Sequence, residues 1–184
     1  MNGNLDLWSS VEQTPPAQTK AITAERLKEL LEYNPISGLF AWRKRSGRGS
    51  HAVIGSVAGN TNSKGYVQIK IDGTLYKAHR LAWLYMTGEW PVSNIDHINM
   101  VKDDNAWLNL REANNSQNGA NRRAYNCNTT GMKGVTRRGN GLYRAQIKKN
   151  GVVKYLGDYA TPEDAGAAYQ KAALLVHGEF ARAS

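Results

Sequence analysis

Residues 94–123, NIDHINMVKDDNAWLNLREANNSQNGANRR, restrict the fold more than any other part of the chain. They are polar and rich in turn formers, yet they carry Asp96, His97, Asn109 and Asn118 in one short segment. The pattern predicts a short strand over 95–98, a loop, a second short strand over 108–111 and a helix from about Asn114. Together these make a ββα unit with its polar groups turned inward, and the remainder of the chain reads as its support. Taken singly, the four residues say little, because a DH pair is common and Asn-rich turns are usually only turns. Four polar residues in order, each on an element that suits one role, are more specific.

Chemistry supplies those roles. Hydrolysis of a phosphodiester needs an activated water, a cation against the scissile phosphate, and a group that holds the base in its productive tautomer. A neutral His97 can take a proton from water. Asp96 and the amide oxygen of Asn118 offer oxygen ligands to a hard divalent ion, and Asn109 can orient His97. With so few protein ligands, Mg²⁺ would keep positions open for water and phosphate oxygens, and Mn²⁺ could substitute.

Through Asp96-His97, Asn109 in NLR and Asn118 at its helix position, this stretch resembles the HNH endonuclease family over roughly 79–123. The resemblance implies a ββα-metal fold, with His97 as general base, Asp96 and Asn118 as metal ligands, and Asn109 as the residue that positions the base. The last position holds Asn rather than His, as in the phage and homing branch of the family. Upstream, LLEYNP, SG, LFAW and HRLAW are similar to segments of phage-type members and extend the likeness back to about Thr23.

Charge points to the same class of partner. The 184 residues carry a net charge of +9, and a strongly basic chain finds acidic partners, nucleic acid first among them. From 39 to 71 there are six basic residues (Arg43, Lys44, Arg45, Arg48, Lys64 and Lys70) and no acid. From 121 to 157 there are nine basic residues, Arg122 and Arg123 among them, again with no acid. A merely solvated face would mix signs, so these runs suit a phosphate track. The single cysteine, Cys127, excludes an internal disulfide framework and a Cys-rich structural zinc site. No segment reads as a membrane span, and no basic region followed by an apolar run marks the N-terminus, so a cytoplasmic location, bacterial or in a phage-infected host, is expected.

Along the chain, residues 1–20 contain Pro15-Pro16 and lack periodicity, which predicts a disordered arm, with Leu5, Leu7 and Trp8 as apolar exceptions. Thr23 starts a helix whose stripe is Leu27, Leu30 and Leu31. Ser37-Gly38 turns into a strand at 39–42. Strands at 53–57, 66–71 and 74–78, the last two joined by Asp72-Gly73, give a small antiparallel sheet. HRLAWLYMTG at 79–88 reads as a largely buried helix stopped by Gly88. His79 at its start is a candidate for a phosphate or the site, or for a plain backbone hydrogen bond. Arg122 and Arg123 are further candidate phosphate contacts.

Residues 124–132 form the expected linker. Beyond it, strands at 134–138, 142–149 and 152–156, the last two joined by the hairpin signal Asn150-Gly151, precede a helix capped by Thr161 with Pro162 at its first position. Ala165, Ala168, Tyr169, Ala172 and Val176 share one face of that helix. In the middle strand, period-two alternation turns Tyr143, Ala145 and Ile147 toward the helix and Arg144, Gln146 and Lys148 away. Such a cationic sheet face can enter a major groove. The order GV-R-R, Y-A-Q-I-K, YLG and an Ala-rich helix ending HGEFA resembles the AP2 DNA-binding domain over about 133–181. That resemblance implies a DNA-reading face of Arg137, Arg138, Gln146, Lys148 and Tyr155, with Arg144 alongside. Asn140 and Gln146 stand where plant AP2 domains have Trp and Glu, so their target sequence does not transfer.

The expected architecture is α+β: an HNH nuclease module (21–123) with an N-terminal small antiparallel sheet, and a three-stranded sheet on one helix, AP2-like (133–184). The expected function is a Mg²⁺-dependent endonuclease of the phage or homing type acting on double-stranded DNA, with no obligate protein partner evident. The rival is a non-catalytic DNA-binding transcription regulator. In the nuclease reading, removing residues 133–184 weakens binding and spares the chemistry.

Overall fold

The computed structural model describes residues 21–45, 52–122 and 128–181. The expected arm (1–20), Arg48, Arg123, Cys127 and residues 124–126 of the expected linker lie outside the described residues.

Thr23 opens α1 (Ala24–Leu30) as its position predicts, its Oγ1 accepting from the Arg26 N–H at 3.2 Å. Seven residues are too few for a helix to persist on propensity alone. Leu27, Leu30 and Leu31 are fully buried, and each such burial is worth about 1.5–3 kcal/mol, so packing holds the helix. β1 (Leu31–Tyr33) pairs antiparallel with β2 (Phe40–Trp42). The turn between them carries Gly38 at φ +71°, and a Cβ there would run into the backbone of Asn105 and Ala106.

Residues 53–57 do not form the expected strand. They make a turn through Gly55, at φ +83°, with a single isolated bridge from Val57 to Ala41, and Val53, Ile54 and Val57 stay exposed. The apolar content misled because positive φ breaks the extended path. A two-residue β3 (Asn60–Thr61) instead joins β4 (Val67–Ile71) and β5 (Thr74–Lys77) in the order β3-β4-β5. Asp72 and Gly73 both take positive φ, 47° and 83°, as a tight Asp-Gly hairpin turn demands. α2 (Ala78–Thr87) follows and ends on left-handed Gly88.

β6 (Asn94–His97) and β7 (Leu110–Ala113) form the antiparallel hairpin of the ββα unit, and α3 (Asn115–Asn121) completes it. The second strand starts later than expected, because residues 107–109 wind into a 3-10 turn whose Trp107 N–H donates to Pro35 O at 2.8 Å. Ile95 and Leu110 enter the main core with Leu27, Phe40, Ile69 and Leu81, which pins the hairpin. α3 begins with a capping box between Asn114 and Gln117.

In the second unit, β8 (Val135–Arg137), β9 (Tyr143–Lys149) and β10 (Val152–Tyr159) lie in the order β10-β9-β8 under α4 (Pro162–His177). β10 runs three residues past its expected end, through an irregularity between Tyr155 and Gly157. Ala145 and Ile147 are buried against Ala165, Tyr169 and Ala173, matching the expected alternation in β9. A 3-10 turn (Gly178–Phe180) then returns to the first unit. The described structure is thus mixed α and β with small antiparallel sheets. None of its helices is long and apolar enough to cross a membrane.

Candidate active site and nucleic-acid interface

Successive residues of a strand face opposite ways, and this separates Asp96 from His97. His97 shares the core-facing side with Ile95 and registers against Leu110, whereas Asp96 registers against Arg111 on the side covered by α3. Both are buried, at 4% and 7% exposure. The His97 ring stands edge-on to His79, centroids 5.0 Å apart, and 6.0 Å from Tyr66. Lys77 and Lys102 lie 4.9 and 5.1 Å from the Tyr66 ring centroid. Burial, reinforced by His97, Lys77 and Arg80, drives His79 from the ordinary histidine value down to about 3. His79 Nδ1 has no hydrogen-bond partner among the described residues. At 4% exposure the ring is buried beside His97, where burial favours its neutral form.

Burial also lowers the His97 pKa, against the opposing pull of Asn105, Asp96, Asp104 and Asp103. The Asn105 amide fixes which nitrogen carries the proton. Its Nδ2 donates to Asp103 O at 3.0 Å, which turns Oδ1 toward His97 Nε2 at 3.3 Å. Since that oxygen can only accept, Nε2 holds the proton and Nδ1 keeps the lone pair. Asn105 is in turn braced from the N-terminal hairpin, where Tyr33 Oη donates to its carbonyl at 2.7 Å and Gly38 packs against its backbone.

Asn109 does not touch the imidazole. Its Oδ1 accepts from the Asn99 N–H at 3.0 Å and its Nδ2 donates to Asp104 O at 2.7 Å, so it ties the two ends of the loop that carries Asn105. Its effect on His97 is indirect.

At Asp96 every donor falls on one oxygen. Arg111 Nε and Nη2 lie 3.3 and 3.2 Å from Oδ2, and Asn121 Nδ2 donates to the same atom at 2.9 Å. Oδ1 accepts no hydrogen bond from the described residues. Asn121 Nδ2 also donates to His97 O at 2.9 Å, so this residue, not Asn118, is the helix amide that locks the strand end. Asn118, one turn earlier on α3, is half-buried and its side chain has no hydrogen-bond partner among the described residues. An unclaimed carboxylate oxygen and an unclaimed amide oxygen suit a hard divalent ion. Among the described residues no group of three His, Cys, Asp or Glu side chains gathers, so such an ion would keep much of its coordination for water or phosphate.

Of the candidate DNA-binding residues, Arg144, Gln146 and Lys148 lie on the outer face of β9, with Tyr155 opposite Gln146 on β10. Arg137 registers against Tyr143, on the helix side of the sheet, although it is exposed. Arg138 lies just beyond β8 and is also exposed. The outer face is not purely cationic: Asp158, next after the acid-free run, pairs with Arg144 at 3.0 Å, and Arg144 also lies over the Tyr155 ring. Likewise Lys44 pairs with Glu29 at 2.7 Å, so chain segments without acids meet acids in space. A cleft of about 850 Å³ opens between α3 and the β9–β10 hairpin. Arg122, Asn115, Gln146, Lys148 and Tyr169 line it, so that α3 and the second unit border one concavity.

Sequence reasoning missed Asn105, Arg111 and Asn121. Asn121 carried a usable signal, since it lies three residues after Asn118 on one helix face. Arg111 becomes visible only with the strand register. Residues 76–120, a span that holds His79, Asp96, His97, Asn109 and Asn118, match the HNH endonuclease family model.

Proposed function

We propose that this chain is a divalent-metal-dependent DNA endonuclease of the phage or homing HNH type, whose AP2-like second unit grips the duplex. One observation carries the reading. Inside the family-matched segment, a buried imidazole with its Nε2 proton committed to Asn105 adjoins a carboxylate with one oxygen unclaimed. In this reading His97 Nδ1 takes a proton from the attacking water, and burial keeps the ring neutral for that task. Asn109 and Gly38 hold the loop that sets the tautomer. Asp96 and Asn118 would hold the ion, Mg²⁺ with Mn²⁺ as a substitute, which when bound would stabilise negative charge on the phosphate. Arg122 and Lys148 line the cleft and would offer cations to flanking phosphates, with a 5′ phosphate and a 3′ hydroxyl as the ends produced.

One observation favours a second reading. Arg111 already neutralises Asp96, which suits a non-catalytic DNA-binding regulator that has no need of an ion there. Incubating supercoiled plasmid with Mg²⁺ or Mn²⁺, against EDTA and a His97→Ala variant, separates the two. Nicking or linearisation abolished by both controls is expected. Duplex binding without cleavage under either metal would establish the regulator.

A further inference from the structure

The 3-10 turn after α4 reaches back across the molecule to the candidate metal site. Arg111 Nη1 donates to Glu179 O at 3.0 Å while its Nε and Nη2 hold Asp96 Oδ2, and its guanidinium carbon lies 3.8 Å from the centroid of the Phe180 ring. Phe180 is itself buried against Ala113 at the end of β7 and Ala120 in α3. Two further ties join the units at the same helix. Lys133 Nζ donates to the carbonyls of Gly119, Ala120 and Arg122 at the C-terminal end of α3, where the helix dipole favours a cation. The Asn150 N–H donates to Ser116 Oγ at 3.2 Å.

We infer that Phe180 and the Glu179 carbonyl act through Arg111 as positioning groups for Asp96, which makes the second unit part of the support of the metal site. An arginine held only by a carboxylate can swing with it. Here the stack fixes the guanidinium plane and the carbonyl fixes its rotation within that plane, so both N–H groups converge on Oδ2 and Oδ1 is left for a ligand. α3 is too short to persist alone and contains Gly119, so the helix bearing Asn118 and Asn121 leans on the same unit. The expectation that chemistry survives removal of residues 133–184 is therefore replaced by its opposite, because that deletion strips away Phe180, Glu179 and Lys133 together. This inference rests on the reading of Asp96 as a metal ligand.

The test uses full-length protein and Mn²⁺ titration followed by electron paramagnetic resonance, without DNA. Phe180→Leu keeps apolar volume and loses the ring, whereas Phe180→Tyr keeps the ring. We expect Phe180→Leu to weaken Mn²⁺ binding roughly three- to tenfold, in line with loss of a buried cation–π contact, and Phe180→Tyr to restore it. The Arg111 Nε–H resonance should lose its protection from exchange in the Leu variant alone. Wild-type Mn²⁺ affinity in Phe180→Leu, equal weakening in both variants, or a wild-type signal indifferent to Asp96→Ala would each overturn the inference. Plasmid cleavage separates it from the nuclease reading. Weakened Mn²⁺ binding in the Leu variant of a chain that never cuts DNA upholds the positioning and sinks the nuclease. A cutting wild type with unchanged Mn²⁺ affinity in that variant does the reverse.

Discussion

Replacing His79 with Phe probes the electrostatic frame around His97. His79 is 4% exposed and its Nδ1 lacks a partner among the described residues, and burial first, then His97, Lys77 and Arg80, lower its pKa to about 3. In the unfolded chain it titrates near ~6.5. Between these values the unfolded state binds more protons than the folded one. Its contribution to stability is therefore fully present above about pH 6.5 and is lost as pH falls toward 3. Each pH unit inside that window costs about 1.4 kcal/mol, so moving from about pH 7.5 to about pH 5 should cost the native state about 2 kcal/mol through this residue. Phenylalanine has a similar shape, can keep the ring contacts with Tyr66 and His97, and carries no proton. Urea unfolding of both proteins at the two pH values gives the double difference: the wild type should lose about 2 kcal/mol more than His79→Phe. Near neutral pH the variant should be at least as stable, because a buried unpaired nitrogen costs about 1–3 kcal/mol and is gone. Equal acid losses in the two proteins would refute the argument. DNA affinity should not change, since the residue is only 4% exposed, and a marked loss would support His79 as a phosphate contact.

Other outcomes test the rest of the site. His97→Ala should abolish cleavage with duplex affinity nearly unchanged, and the wild-type rate should rise with pH and level off below the ordinary histidine value near ~6.5, because burial favours the neutral ring. A rate with no acidic limb at any pH at which the protein stays folded counts against imidazole as the base. Asp96→Ala should shift the Mn²⁺ dependence of cleavage more than Asn118→Ala, since only the first removes a charge; unchanged titration curves in both would dismiss the ligand assignment. Gly38→Ala combines strain at φ +71° with a collision against Asn105 and Ala106, so kcat should fall through a displaced Asn105 with KM little altered, and wild-type kcat in a folded variant would show that the loop position is immaterial. Lys148→Ala should weaken binding to all sequences and reduce the salt slope by about 1, whereas a Gln146 substitution should relax one base position by about 1–3 kcal/mol. A uniform loss from both would place specificity elsewhere.

Local elements were legible in the residues because their signals lie within a few positions of one another. The Thr23 and Thr161 caps, the Asp72-Gly73 and Asn150-Gly151 turns, and the alternation that buries Ala145 and Ile147 needed no knowledge of distant contacts. Where local signals compete, they failed: 53–57 has strand-like apolar content, and Gly55 turns the chain out of it. The matched stretch with Asp96, His97, Asn109 and Asn118 was likewise readable as a spacing. The partners of those residues were decided by tertiary structure. Asn105 reaches His97 because Tyr33 and Gly38, far back in the chain, hold its loop, and Arg111 meets Asp96 because strand register places them opposite. Asp158 cancels part of a charge run that looked acid-free, because a strand pairing returns it to Arg144. Phe180 reaches Arg111 only after α4 has carried the chain back to the hairpin. Caps, turns and alternation depend on a residue's nearest neighbours in sequence, whereas tautomer, ion pairing and ligand orientation depend on groups that folding alone brings within a few ångströms.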